Sequence, residues 1–160
     1  MAQDNGGAIA QKGFNFQNHV ISLVAIRNYK KKDFAIYVES DDDFEITYEN
    51  NYHAYIQVKG EKRVSLTSLL TRIGDKPSIF EKHFSLGNDD SIYKIVVFNF
   101  SQKDLNSMQE DTEDELFENS RRLSTKQEED IIIKLGESFK KRVGNFSLVK
   151  TAFSNNFSDA

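Results

Sequence analysis

Three β-type segments follow one another between residues 34 and 58, with a helical segment before them and another after, and this succession constrains the fold most. Phe34-Ala-Ile-Tyr-Val38 reads as a buried strand, rich in aromatic and β-branched residues. Asp43-Phe-Glu-Ile-Thr-Tyr48 alternates polar and apolar, the pattern of a half-exposed strand. Glu49-Asn-Asn-Tyr52 supplies a turn, which predicts a hairpin with Ala54-Tyr-Ile-Gln-Val58.

The flanking segments have the helical period. Phe14, Gln17, Ile21 and Val24 recur on one stripe that closes in Asn28-Tyr-Lys-Lys-Lys32. Ser65 can cap a helix through Arg72, with Leu66, Leu69, Leu70 and Ile73 facing inward. Gly74-Asp-Lys-Pro77 interrupts it, and a second helical piece runs from Ser78 to Phe84. Ile92-Tyr-Lys-Ile-Val-Val-Phe98 is the clearest strand of the chain. The order α-β-β-β-α-β predicts an α/β fold, a small mixed sheet flanked by helices. Beyond Phe100 the chain turns polar, and Ile131, Leu135, Phe139 and Val143 recur at every fourth position, one stripe of a packed helix. The expected organisation is one domain over 1–160, with a core at about 8–100 and C-terminal helices over about 101–160. The ending, Phe153-Ser-Asn-Asn-Phe157-Ser-Asp-Ala, has no stop signal, as if cut from a longer protein.

Composition narrows the function classes. The 160 residues are 38% apolar, enough for a core, and no apolar run approaches the ~18 residues that span a bilayer. The start, Met-Ala-Gln-Asp-Asn-Gly-Gly, lacks the features of a signal peptide. Without cysteine, thiolate metal sites and thiol nucleophiles are excluded. A cytoplasmic protein is expected. A net charge of −4 is not the footprint of a protein that coats nucleic acid. The acid is concentrated late, in Glu110-Asp-Thr-Glu-Asp-Glu115 and Glu128-Glu-Asp130, whereas Lys59, Lys62 and Arg63 cluster after the third strand, where a local basic rim can hold a phosphate backbone.

Glu39 ends the first of the three strands and Asp43 begins the second, while Gln57 and Lys59, two apart on the third, point to one face. Carboxylates, an amide oxygen and an ammonium at one sheet edge suit a hard cation and a phosphate, and so metal-assisted phosphodiester cleavage. Mg2+, with Mn2+ as an alternative, needs only one or two carboxylates and a carbonyl because it keeps several waters. Asp43 is the expected main ligand, joined by the Gln57 amide oxygen and the Val58 main-chain carbonyl. Glu39 would bind metal or orient a water on it, Lys59 would sit beside the attacking water or scissile phosphate, and Gln17 could hydrogen-bond the cluster or a phosphate. His19, His53 and His83 have no metal-ligand spacing, which disfavours a histidine-based one-metal nuclease.

Gln57-Val-Lys59 after an acidic strand, in this order of elements, resembles the restriction-endonuclease fold, and within the PD-(D/E)xK superfamily the Mrr-like branch with glutamine in the second acidic position. Gly13-Phe-Asn-Phe-Gln17, Val38-Glu-Ser-Asp-Asp-Asp43 and Ile56-Gln-Val-Lys59 are similar to a narrower group. These are the double-stranded-DNA endonuclease domains at the N-terminus of bacterial anti-phage effectors, including SAVED-domain effectors. The resemblance covers about residues 6–100. It places the family's metal-binding acid on Asp43, with Asp42 as the off-by-one alternative, its glutamine and lysine on Gln57 and Lys59, its helix glutamine on Gln17, and its strand-end acid on Glu39. It implies duplex DNA as substrate, and Lys62 and Arg63 of the basic rim are expected to bind it. Cutting both strands suggests a homodimer or higher oligomer, and activation would lie with a sensor domain or activator that this chain does not include. The alternatives are a non-catalytic binding or assembly module of the same fold and a nuclease acting on RNA.

Overall fold

The computed structural model describes residues 5–40, 43–49 and 51–151. Helix α1 (Asn5–Asn28) leads into β1 (Ala35–Val38), β2 (Asp43–Tyr48) and β3 (Tyr52–Lys59). Two short helices, α2 (Leu66–Leu70) and α3 (Ile79–Phe84), connect β3 to β4 (Ile92–Val97). This is the expected α-β-β-β-α-β core. β1, β2 and β3 pair antiparallel, and β4 joins β3 in parallel, which requires the long crossover that α2 and α3 provide.

Both crossover helices start on serine caps. Ser65 and Ser68 form one reciprocal capping box and Ser78 and Glu81 another, each satisfying main-chain amides at the helix start. α2 stops at Leu70 rather than Arg72, and Ile73, expected inward, is 80% exposed on the turn that bridges it to Lys76.

The segment after Phe100 departs from expectation. α4 (Gln102–Ser107) and α5 (Thr125–Leu135) are helices, but β5 (Gln109–Glu110), β6 (Ser120–Arg122) and β7 (Phe146–Lys150) are strands. β7 lies parallel beside β4, β6 and β5 follow antiparallel, and among the described residues the sheet has seven strands in the order β1-β2-β3-β4-β7-β6-β5. A five-residue strand buried on both faces carries no period that separates it from a helix end, and two- or three-residue strands carry none at all. The stripe Ile131, Leu135, Phe139, Val143 reaches the core as expected, but not on one helix. Gly136, at φ +113°, ends α5, and a 3-10 turn (Glu137–Phe139) and α6 (Lys140–Gly144) carry the later members. β1 is likewise less buried than expected: Tyr37 and Val38 are exposed because an edge strand has a neighbour on one side only.

Alternation along the strands builds two cores. Phe44, Ile46, Ile56 and Val58 pack with Phe16, Val20 and Val24 of α1 on one face. Tyr93, Ile95, Val97 and Leu148 pack with Leu69, Phe80, Phe84 and Ile131 from the other helices on the opposite face. Residues at odd positions of β2 and β3, Asp43, Gln57 and Lys59 among them, belong to the second face.

Candidate active site

β2 begins at Asp43, which stands directly opposite Gln57 in antiparallel register. The Asp43 carbonyl turns toward β1 and accepts the amides of Glu39 at 3.0 Å and Ser40 at 3.2 Å. A residue whose carbonyl serves one neighbouring strand forms a non-hydrogen-bonded pair with the other, where Cα atoms approach to about 4.5 Å. The Asp43 and Gln57 side chains therefore leave one face at the closest spacing an antiparallel pair offers. The Glu39 amide continues the β1–β2 register one step past Val38, so Glu39, Asp43 and Gln57 form a row across three adjacent strands. All three line one cavity of about 180 Å³, with Tyr55, Lys82 and His83.

The row carries unsatisfied polarity. Gln57 is 4% exposed and its Oε1 has no hydrogen-bond partner among the described residues. A buried acceptor left without a donor costs on the order of 1–3 kcal/mol, which a guest in the cavity would offset. The Asp43 carboxylate accepts the Ser40 hydroxyl at 3.1 Å, which restrains its rotamer. Among the described residues no three His, Cys or acidic side chains converge as a metal cluster, and Asp41 and Asp42, the off-by-one alternative included, lie outside the described residues. Two carboxylates with an amide oxygen fit a magnesium-like cation that keeps part of its hydration.

Asp43–Gln57 is the terminal pair of its ladder, and Val58 and Lys59 run past it while still paired with Val96 and Val97 of β4. With Gln57's main chain committed to the β4 side, alternation turns that of Val58 toward the side where pairing with β2 has ended. The Val58 side chain is in the α1-facing core. Lys59, half-buried, shares the face of Gln57.

Gln17 is neither on the helix surface nor in the cavity. It is fully buried on α1, and its Nε2 donates to the Ser40 carbonyl at 2.9 Å and, more weakly, to that of Asp43 at 3.5 Å. It pins the β1–β2 connection from behind the sheet. Lys62 and Arg63 are exposed on the loop after β3, and the Lys62 carbonyl accepts the Asn99 side-chain amide.

His83 is the residue that spacing did not flag. α3 presents Phe80, His83 and Phe84 on one buried face, and a histidine inside an apolar i, i+3, i+4 stripe was the available signal. Burial pushes its pKa down to about 3; a hydrogen bond with the Lys94 main chain opposes the shift and the Lys59 ammonium adds to it. The imidazole is therefore neutral at neutral pH, and its Nε2 has no partner among the described residues.

The chain matches, over residues 5–158, the family described as Cap4, dsDNA endonuclease domain. It is 41% identical over 156 residues to the Lamassu protein LmuA of Bacillus sp., an alignment that covers 95% of this chain and 48% of that protein. The chain thus spans about half the length of this relative. No solved structure matches.

Proposed function

The chain belongs to the Cap4 family of dsDNA endonuclease domains, with a restriction-endonuclease-like core, and on that premise we propose that it hydrolyses duplex DNA with a divalent cation held at the row Glu39–Asp43–Gln57. The observation that carries this reading is the buried Oε1 of Gln57, without a partner among the described residues, on the residue that pairs with Asp43 across β2 and β3.

Asp43 and Gln57 Oε1 are the principal ligands of this proposal, Glu39 the supporting acid and the Val58 carbonyl a further oxygen. Mg2+ or Mn2+ bound there supplies positive charge for the phosphorane-like transition state and lowers the pKa of water. Lys59 places an ammonium beside the scissile phosphate, where it stabilises developing charge and positions the nucleophile. Gln17 and Ser40 fix the loop that presents Asp43, and Lys62 and Arg63 hold the DNA backbone from the adjacent exposed loop. Cytoplasmic action in anti-phage defence, assembly as a dimer or higher oligomer, and control by a sensor region or activator extend the same proposal. The similarity to a Lamassu protein twice as long supports the defence role. Among the described residues no helix is long and apolar enough to cross a membrane.

Incubation with supercoiled plasmid tests this reading. Nicking that needs Mg2+ or Mn2+, stops with EDTA and disappears in Lys59→Ala is expected. Equal cleavage by Lys59→Ala, or cleavage that survives EDTA, contradicts it. Cleavage of RNA with duplex DNA left intact moves the substrate to RNA.

A further inference from the structure

The loop that carries Lys62 and Arg63 is stitched to the helices that follow β4. The Asn99 side-chain amide donates to the Lys62 carbonyl, the Ser101 amide to the Val64 carbonyl at 2.9 Å, and the Leu66 amide to the Asp104 carboxylate at 2.9 Å. α5 extends the connection, because the Gln127 side-chain amide donates to the Asp104 carbonyl at 3.0 Å. β3, β4 and β7 run parallel and end on this side of the sheet, at Lys59, Val97 and Lys150. The loop after β3, α4 and α5 therefore form one platform at the sheet end where Lys59 stands.

α2, α4 and α5 border an open groove of about 610 Å³ on this platform, with buried Leu66 and Ile131 at its floor. Lys103 of α4 and Lys126 and Lys134 of α5 line it and are exposed. None of the three forms an ion pair among the described residues. Of the two acids on the groove, Asp104 is committed to the Leu66 amide, and Asp130 stands on α5 one turn from both Lys126 and Lys134. Those two lysines are two turns apart, about 12 Å along the helix axis, so they reach separate phosphates.

Resting on the reading of the chain as a duplex-DNA nuclease, we propose that Lys103, Lys126 and Lys134 form a second phosphate-binding track, which carries the DNA backbone from Lys62 and Arg63 across α4 and α5. Charge complementarity selects this occupant: three uncompensated ammonium groups border one groove, continuous through hydrogen bonds with the basic loop after β3. The hydroxyls of Thr67 and Ser107 line the same groove. Lysines and hydroxyls hold a backbone in position without reading its sequence. Asp130, between two of the cations, tempers the affinity. An acidic helix of a partner protein is the other occupant that such a groove fits, and it makes DNA binding indifferent to these lysines.

Fluorescence anisotropy of a labelled DNA duplex titrated with the full chain, over a series of salt concentrations in EDTA and again in Ca2+, tests this. Lys103→Gln, Lys126→Gln and Lys134→Gln should each lower the slope of log affinity against log salt by about one, and the triple variant should bind about tenfold more weakly or worse. Asp130→Asn should act in the opposite direction and tighten binding. All four positions are exposed, and circular dichroism checks that the variants are folded. Parent affinity and parent slope in the triple variant, with binding still weakened by Lys62→Ala and Arg63→Ala, overturn the track and leave the nuclease reading standing. A parent chain that binds no duplex in either condition overturns both.

Discussion

Asp43 and Gln57 are the terminal, non-hydrogen-bonded pair of the β2–β3 ladder, so a half-buried aspartate and a buried glutamine leave one face from directly opposed main-chain positions. Gln57→Glu makes this relationship testable. A second carboxylate at a position 4% exposed and opposite Asp43 is repulsive without metal. The variant should melt below the parent in EDTA and gain a larger increment in Tm on adding Mg2+ or Mn2+. Differential scanning calorimetry in both conditions checks it; an unchanged metal-induced increment contradicts the pairing.

Gln17 should act on the site without touching it. Its Nε2 satisfies the Ser40 carbonyl, next to the hydroxyl that steadies Asp43. Gln17→Leu removes that bond and should cost about 1–3 kcal/mol in urea unfolding. Metal affinity and cleavage rate should fall together, roughly tenfold for 1.4 kcal/mol of lost positioning. A loss of DNA binding with metal affinity intact would show contact with DNA instead.

Lys62 and Arg63 make a separable prediction. Because both are exposed beyond the end of β3, alanine at each should weaken DNA binding for all sequences alike. Each substitution should reduce the slope of log affinity against log salt by about one, with metal affinity unchanged in calorimetry.

On the opposite face, Lys94 and Asp114 form a buried ion pair at 2.6 Å that ties the acidic loop to the sheet. Asp114 Oδ1 also accepts the amides of Leu116 and Phe117, and Lys94 donates to Ser147 at 2.7 Å. Lys94→Met leaves a buried carboxylate unpaired and should cost about 3–5 kcal/mol, most of it recovered in the double variant with Asp114→Asn. Burial alone would raise the Asp114 pKa, but the Lys94 ammonium and the hydrogen bonds more than offset it and hold the pKa below the usual aspartate value. The unfolded state therefore takes up the proton first as pH drops. This contribution is complete above pH ~4 and is lost as pH falls below that, through the lowered folded value. Acid titration followed by circular dichroism should show a shallower loss in the double variant.

The site was legible where local chemistry and strand period coincide. Alternation in Asp43–Tyr48 and the Glu49–Tyr52 turn fixed which side chains of β2 and β3 share a face, and the pairing of Asp43 with Gln57 follows from that hairpin. What stayed hidden depends on tertiary partners. β7 is a strand because β4 and β6 flank it, and its five residues carry too little period to say so. His83 reads as an ordinary helix residue until α3 is folded over the cavity that Gln57 lines. Gln17 stands on the stripe of Phe14, Ile21 and Val24, which places it on the buried face of α1, but the Ser40 carbonyl it meets there is set by the fold.

The central claim is that Asp43 and Gln57 together hold a divalent cation, and titration calorimetry with Mn2+ on the parent, Asp43→Ala and Gln57→Ala tests it most directly. The account requires one saturable site in the parent, abolished in Asp43→Ala and weakened at least tenfold in Gln57→Ala, with both variants folded by circular dichroism. Parent-like Mn2+ binding in either folded variant would contradict it.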